Sequence, residues 1–98
     1  MNKTIQNPHP NPSPLADRYV VLHVRALMAD RNVRSVAALQ RMLIAAGVDI
    51  SNQQLNRIVD NRATLLNLTV INGLLKVLQC SVHELFGEIA VPKPSRQA

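Results

Sequence analysis

The sequence predicts an all-α fold: a compact five-helix domain between two flexible tails. Three observations point there. Apolar residues recur at three- and four-residue spacing, and no run sustains period-two alternation. Only three glycines occur, too few for a series of tight β-turns. Residues suited to cap helices, Ser35, Ser51, Asn67 and Ser81, stand in front of segments with helical apolar spacing.

The first helix is expected from Ala16 to Arg31. Asp17 suits its start, and Val20, Val21, Val24, Leu27 and Met28 fall on one face. The second starts at the N-cap Ser35, carries Val36, Leu39, Met42, Leu43 and Ala46 at helical spacing, and stops at Gly47. The third begins at Ser51, with Leu55, Ile58 and Val59 as its apolar face, and Asn61 can end it in a left-handed conformation. The fourth begins at Asn67 and buries Val70, Ile71, Leu74, Leu75 and Leu78. Gly73 inside it costs up to ~1 kcal/mol against alanine, which close packing on a neighbour would explain. The fifth is short: Ser81 and Glu84 have capping-box spacing, and Leu85 and Phe86 turn inward.

Residues 1–15 form a proline-rich tail in which Pro8, Pro10, Pro12 and Pro14 forbid a helix. The folded domain is expected over residues 16–89, followed by a flexible basic tail over 90–98 that carries Lys93 and Arg96.

The 98 residues support one domain and one modest, aliphatic core, with a single Tyr, a single Phe and no Trp. Eleven basic residues against six acidic ones give a net charge of +5 and suit a polyanionic partner, with nucleic acid first among them. Cys80 is the lone cysteine, so no internal disulfide can form, and a reducing cytoplasm fits. Arg25, Arg41 and Lys76 interrupt the apolar stretches, none of which nears the ~20 residues that span a bilayer. No membrane association is expected.

The third helix carries the functional signal. Its apolar face is thin, and the rest of its surface is carboxamides and one guanidinium: Asn52, Gln53, Asn56 and Arg57. A carboxamide holds a donor and an acceptor in one plane and matches the N6/N7 edge of adenine, while a guanidinium matches O6/N7 of guanine. The plain alternative is a solvated helix face, but such faces are usually rich in Lys and Glu.

From Val36 to Phe86 the chain resembles the lambda-repressor-like helix-turn-helix domains, also called the Cro/repressor or XRE family. The residues that carry this are Leu39, Gly47, Ile50-Ser51, Leu55 and Arg57-Ile58, then Leu68, Ile71 and the run from Leu74 to Leu85 with its Gln79-Cys80-Ser81 phrase. With the first helix, the likeness covers about residues 18 to 87. It implies a sequence-specific double-stranded DNA-binding transcriptional regulator, most often a repressor, acting as a homodimer with the helix from Ser51 in the major groove. Carried over by position, Asn52, Gln53 and Arg57 are the candidate base contacts. Gln54 and Asn56, beside Ser51, fall to the DNA backbone or neighbouring bases, and Arg34, Ser35, Arg62 and Thr64 are phosphate candidates. The turn Gly47-Val48-Asp49-Ile50 is longer than in the commonest members.

Other chemistry is thinly represented. Cys80 and His83 have a C-x-x-H spacing but no second pair to complete a metal site, and Cys80 reads better as a small buried side chain. No nucleophile elbow, phosphate loop or paired-carboxylate pattern occurs, so neither an enzyme nor a cofactor is expected. The rival from another class is a protein-interaction module, an antitoxin or adaptor, on the same fold.

Overall fold

The computed structural model describes residues 16–92; the proline-rich segment and the basic end assigned to tails lie outside them, apart from Ala90–Pro92. The elements run β1 (Ala16–Leu22), α1 (Val24–Asp30), α2 (Val36–Ala45), α3 (Asn52–Val59), α4 (Leu68–Val77), α5 (Val82–Leu85) and β2 (Phe86–Pro92). Strands β1 and β2 form a two-stranded antiparallel sheet. The chain divides into two compact units. One spans Val21–Gly87, and the other, among the described residues, joins Ala16–Val20 with Glu88–Pro92.

The sheet corrects the all-α expectation and shortens the first helix. Valine at 20, 21 and 24 fits a helical face by spacing, but the run Tyr19-Val20-Val21 is also aromatic and β-branched, the chemistry of strands. Pairing with β2 decides between them, and the main-chain N–H of His23 donates to the Leu85 carbonyl at 2.8 Å where the strands meet the helices. Helix α1 therefore starts at Val24, without a side-chain cap. Val20 is 69% exposed rather than part of the core. The residues Ala90–Pro92, read from sequence as tail, complete β2.

The other helices start where their caps predict. Ser35 accepts from the Ala38 N–H, Asn67 from the Thr69 N–H, and Ser81 and Glu84 form the reciprocal capping box. Gly47 ends α2 at φ 89°, a backbone conformation in which a side chain is strained. Helix α2 packs on α3 and α4, and α1 on α3. The core is aliphatic: Val24, Leu39, Leu43, Leu55, Leu74, Leu78 and Leu85 are fully buried. Burying each leucine stabilises the fold by roughly 1.5–3 kcal/mol. Gly73 is where α4 meets the turn after α2, because a Cβ there would stand 2.7 Å from Val48 Cγ2. The side chain of Arg31 reaches across to the carbonyls of Leu78 and Gln79 at 2.8 and 2.9 Å, satisfying the end of α4.

Candidate nucleic-acid interface

Helix α3 is pinned by Leu55, Ile58 and Val59, all buried, while Asn52, Gln53 and Arg57 stand exposed on its other side. Its first turn is locked by a capping box. The Ser51 hydroxyl accepts from the Gln54 N–H at 3.0 Å, and the Gln54 carboxamide oxygen accepts from the Ser51 N–H at 3.3 Å. The sequence reading saw Ser51 as a cap but not Gln54 as its reciprocal partner. That partnership occupies the Gln54 oxygen and leaves the donors of its NH2 group unused among the described residues.

A polar relay orders the outer face. Gln40 of α2 donates to the Ile50 carbonyl at 2.9 Å, and its own oxygen accepts from Asn52 Nδ2 at 3.2 Å. Asn56 Nδ2 donates to both Asn52 Oδ1, at 2.8 Å, and the Asn52 carbonyl, at 3.0 Å. Counting donors and acceptors gives each carboxamide a distinct capacity. Asn52 keeps one N–H and one oxygen lone pair, the complement of an adenine edge. Asn56 has both N–H groups engaged and presents only its oxygen. Gln53 and Arg57 make no side-chain hydrogen bond to the described protein and keep their full capacity. Gln40 was missed by sequence reasoning. Nothing local marks it, since its role depends on a helix-to-helix approach.

A shallow depression on this face is lined by Asn52, Gln53, Asn56, Arg57, Asp60 and Arg62. The one carboxylate in it, at Asp60, would repel phosphate, but Arg25 of α1 contacts it at 2.6 Å and Arg62 at 3.5 Å. The hydrogen bond from Arg25, with its charge and that of Arg62, holds the Asp60 carboxyl below its ordinary range despite some desolvation. Two guanidiniums on one carboxylate leave this corner net positive. Arg62 thus stands where a phosphate contact was expected, already engaged with Asp60. A neighbouring cleft brings Gln54, Arg57, Arg62 and Thr64 together with Asp49 and Leu65. Arg34 and Ser35 line neither depression; they sit exposed at the start of α2.

Cys80 is half-buried between α4 and α5, where desolvation and the Glu84 carboxylate push its thiol up, against a smaller opposing effect of Arg31. Among the described residues no group of three or more His, Cys, Asp or Glu could hold a metal ion. No helix among them is long and apolar enough to cross a membrane.

An amphipathic helix, a turn and a second helix with an ordered polar outer face form a helix-turn-helix, and the family model for the Cro/C1-type HTH DNA-binding domain matches residues 23–90. The chain belongs to the Cro/C1-type HTH family. No curated protein and no solved structure matches it. Within this Cro/C1-type domain the match begins at His23, after β1, and ends at Ala90, inside β2. It includes the capped helices, the long Gly47–Ile50 turn and every buried core residue except Leu22.

Proposed function

We propose that this Cro/C1-type domain is a sequence-specific double-stranded DNA-binding transcriptional regulator, a repressor that acts in the cytoplasm as a homodimer. Helix α3 enters the major groove. Asn52, Gln53 and Arg57 read base edges, while Arg34, Ser35, Ser51, Gln54, Asn56, Arg62 and Thr64 approach the backbone or neighbouring bases. The observation that carries this is the outer face of α3, where Gln53 and Arg57 keep every hydrogen-bonding group and Asn52 keeps one donor and one acceptor. A rigid, capped helix offering these groups meets a groove edge with little ordering cost. The N–H groups at the start of α2, beside Arg34, suit a phosphate.

Selection of bound sites from random duplex DNA, followed by gel-shift titration over a salt series, tests the proposal. The expected outcome is a defined motif and an affinity that falls steeply with salt. Binding without sequence preference, or no binding, overturns it. The second reading, a protein-interaction module such as an antitoxin or adaptor, draws on Leu65 and Leu68, 89% and 75% exposed beside the end of α3. Under that reading DNA binding is absent.

A further inference from the structure

The carboxamides along α3 form a chain whose direction is fixed by the backbone. A carbonyl oxygen only accepts, so an amide group that meets one must present its nitrogen. At one end Gln40 meets the Ile50 carbonyl at 2.9 Å, and at the other Asn56 meets the Asn52 carbonyl at 3.0 Å. The nitrogen of Gln40 therefore faces Ile50, and its oxygen faces Asn52 Nδ2 at 3.2 Å. With its nitrogen held there, Asn52 turns its oxygen to Asn56 Nδ2 at 2.8 Å. Every link runs the same way. Neither Asn52 nor Asn56 can turn its amide over without setting oxygen against oxygen. An unrestrained carboxamide turns over to suit a donor or an acceptor; the half-buried Asn56 does not have that freedom.

We infer that Asn56 is a specificity-determining residue that acts as a pure acceptor, taking a hydrogen bond from the exocyclic amino group of adenine or cytosine. This rests on the reading of α3 as the base-contacting helix. Asn56 lines the depression shared with Asn52, Gln53 and Arg57. Its N–H groups end on Asn52, and its oxygen receives no hydrogen bond among the described residues. In the major groove only adenine N6 and cytosine N4 donate, while guanine O6 and N7, adenine N7 and thymine O4 accept. The common pairing of asparagine with adenine uses N6 and N7 together, and Asn56 has no N–H left for N7. It takes the part that carboxylates play toward cytosine, without a charge that would repel phosphate. Asn52, with one donor and one acceptor left, makes the two-point adenine contact instead. The two side chains stand about 6 Å apart along the helix, and base pairs stack at about 3.4 Å, so the two contacts fall within about two base pairs.

Selection of sites from random duplex DNA by the full-length wild type and by Asn56→Ala tests it, with helical circular dichroism recorded for both. Alanine suits a helix, so the variant is expected to keep the helical signal. Should the signal fall, Asn56→Leu, close to asparagine in volume, replaces it. One position of the wild-type motif is expected to lose its preference in the variant. Base analogues at that pair then identify the atom read. Removing the amino group, with purine for adenine or 2-pyrimidinone for cytosine, weakens wild-type binding about three- to tenfold more than it weakens the variant. Replacing the purine of the pair by its 7-deaza analogue, which lacks the N7 acceptor, leaves wild type and variant equally affected. A wild type that depends on N7 there and not on the amino group overturns the inference. So does a variant that keeps every preference, since the carboxamide chain would then only brace the helix. Both of those outcomes leave the DNA reading standing. A wild type that binds no duplex, or binds without a motif, removes that reading and this one with it.

Discussion

The Asn61 side chain closes a two-point hydrogen-bonded pair on the main chain of Leu22: its Oδ1 accepts from the Leu22 N–H at 2.7 Å and its Nδ2 donates to the Leu22 carbonyl at 3.0 Å. A side-chain amide thus behaves like one more residue of a neighbouring strand, fastening the inner end of β1 to the turn after α3. Asn61 does this from φ 57°, a conformation that asparagine tolerates better than most residues.

That double role can be separated. Asn61→Gly keeps the left-handed turn and loses both hydrogen bonds, which we expect to cost about 1–3 kcal/mol of stability. Asn61→Ala loses the bonds and also strains the turn, by roughly 1 kcal/mol more. Chemical denaturation of both variants checks the order; equal stability in all three proteins would show that the amide fastens nothing.

Arg57 has a guanidinium with no partner in the described protein. Arg57→Ala is expected to weaken the preferred site by ~1–3 kcal/mol and random duplex DNA by less. Gel-shift titrations on the two DNAs measure the difference. An equal loss on both makes Arg57 a phosphate contact instead.

Gln40→Ala removes the acceptor that fixes Asn52 Nδ2. Specific affinity is expected to fall about three- to tenfold, close to one hydrogen bond's worth of ordering, and the melting temperature to fall modestly as well, because the part-buried bond to the Ile50 carbonyl is lost too. Fluorescence anisotropy on the selected site provides the readout. No change would show that Asn52 is ordered by Asn56 alone.

The Asp60 carboxyl has its pKa lowered in the folded protein, chiefly by the hydrogen bond from Arg25. Stability from this cluster is therefore fully present above the unfolded carboxylate value of about 4 and is lost progressively as pH falls from there through the lower folded value. The prediction is a flat contribution through neutral pH and a decline below that range. In Arg25→Ala the Asp60 titration, followed by NMR of its side-chain carboxyl, moves up toward the ordinary value. A midpoint that stays put would place the cause elsewhere.

Gly73→Ala sets two effects of opposite sign against each other. Helix propensity favours alanine by up to ~1 kcal/mol. The new methyl would stand 2.7 Å from Val48 Cγ2 and 3.1 Å from Leu43 Cδ2, and overpacking of that kind costs typically ~1–3 kcal/mol. We expect net destabilisation, read as a lower melting temperature; a rise would mean that Val48 moves aside freely.

What the sequence disclosed was whatever lies within a few residues along the chain. Ser35, Ser51, Asn67 and Ser81 act as caps, and Gly47 and Asn61 take left-handed turns, because each depends on amides one to four positions away. Close packing at Gly73 was legible too, since a glycine in a helix interior needs a reason. Strand β1 was not legible: Val20, Val21 and Val24 satisfy a helical spacing, and only pairing with residues near the other end of the chain selects the extended form. The site divides the same way. The carboxamide content of α3 was plain, whereas the Gln40–Asn52 bond, the neutralisation of Asp60 by Arg25 and the Arg31 contact to Leu78 all need helices in place.

The hydrogen bond between the His23 N–H and the Leu85 carbonyl has a practical consequence. The helical part of the molecule begins and finishes at neighbouring points, so a short peptide could splice those points together at small entropic cost. New termini could then be opened in the exposed connection around Asn32. Such a circular permutant would keep every buried core residue but Leu22 and shed the β1–β2 ribbon, leaving the reading head on its own.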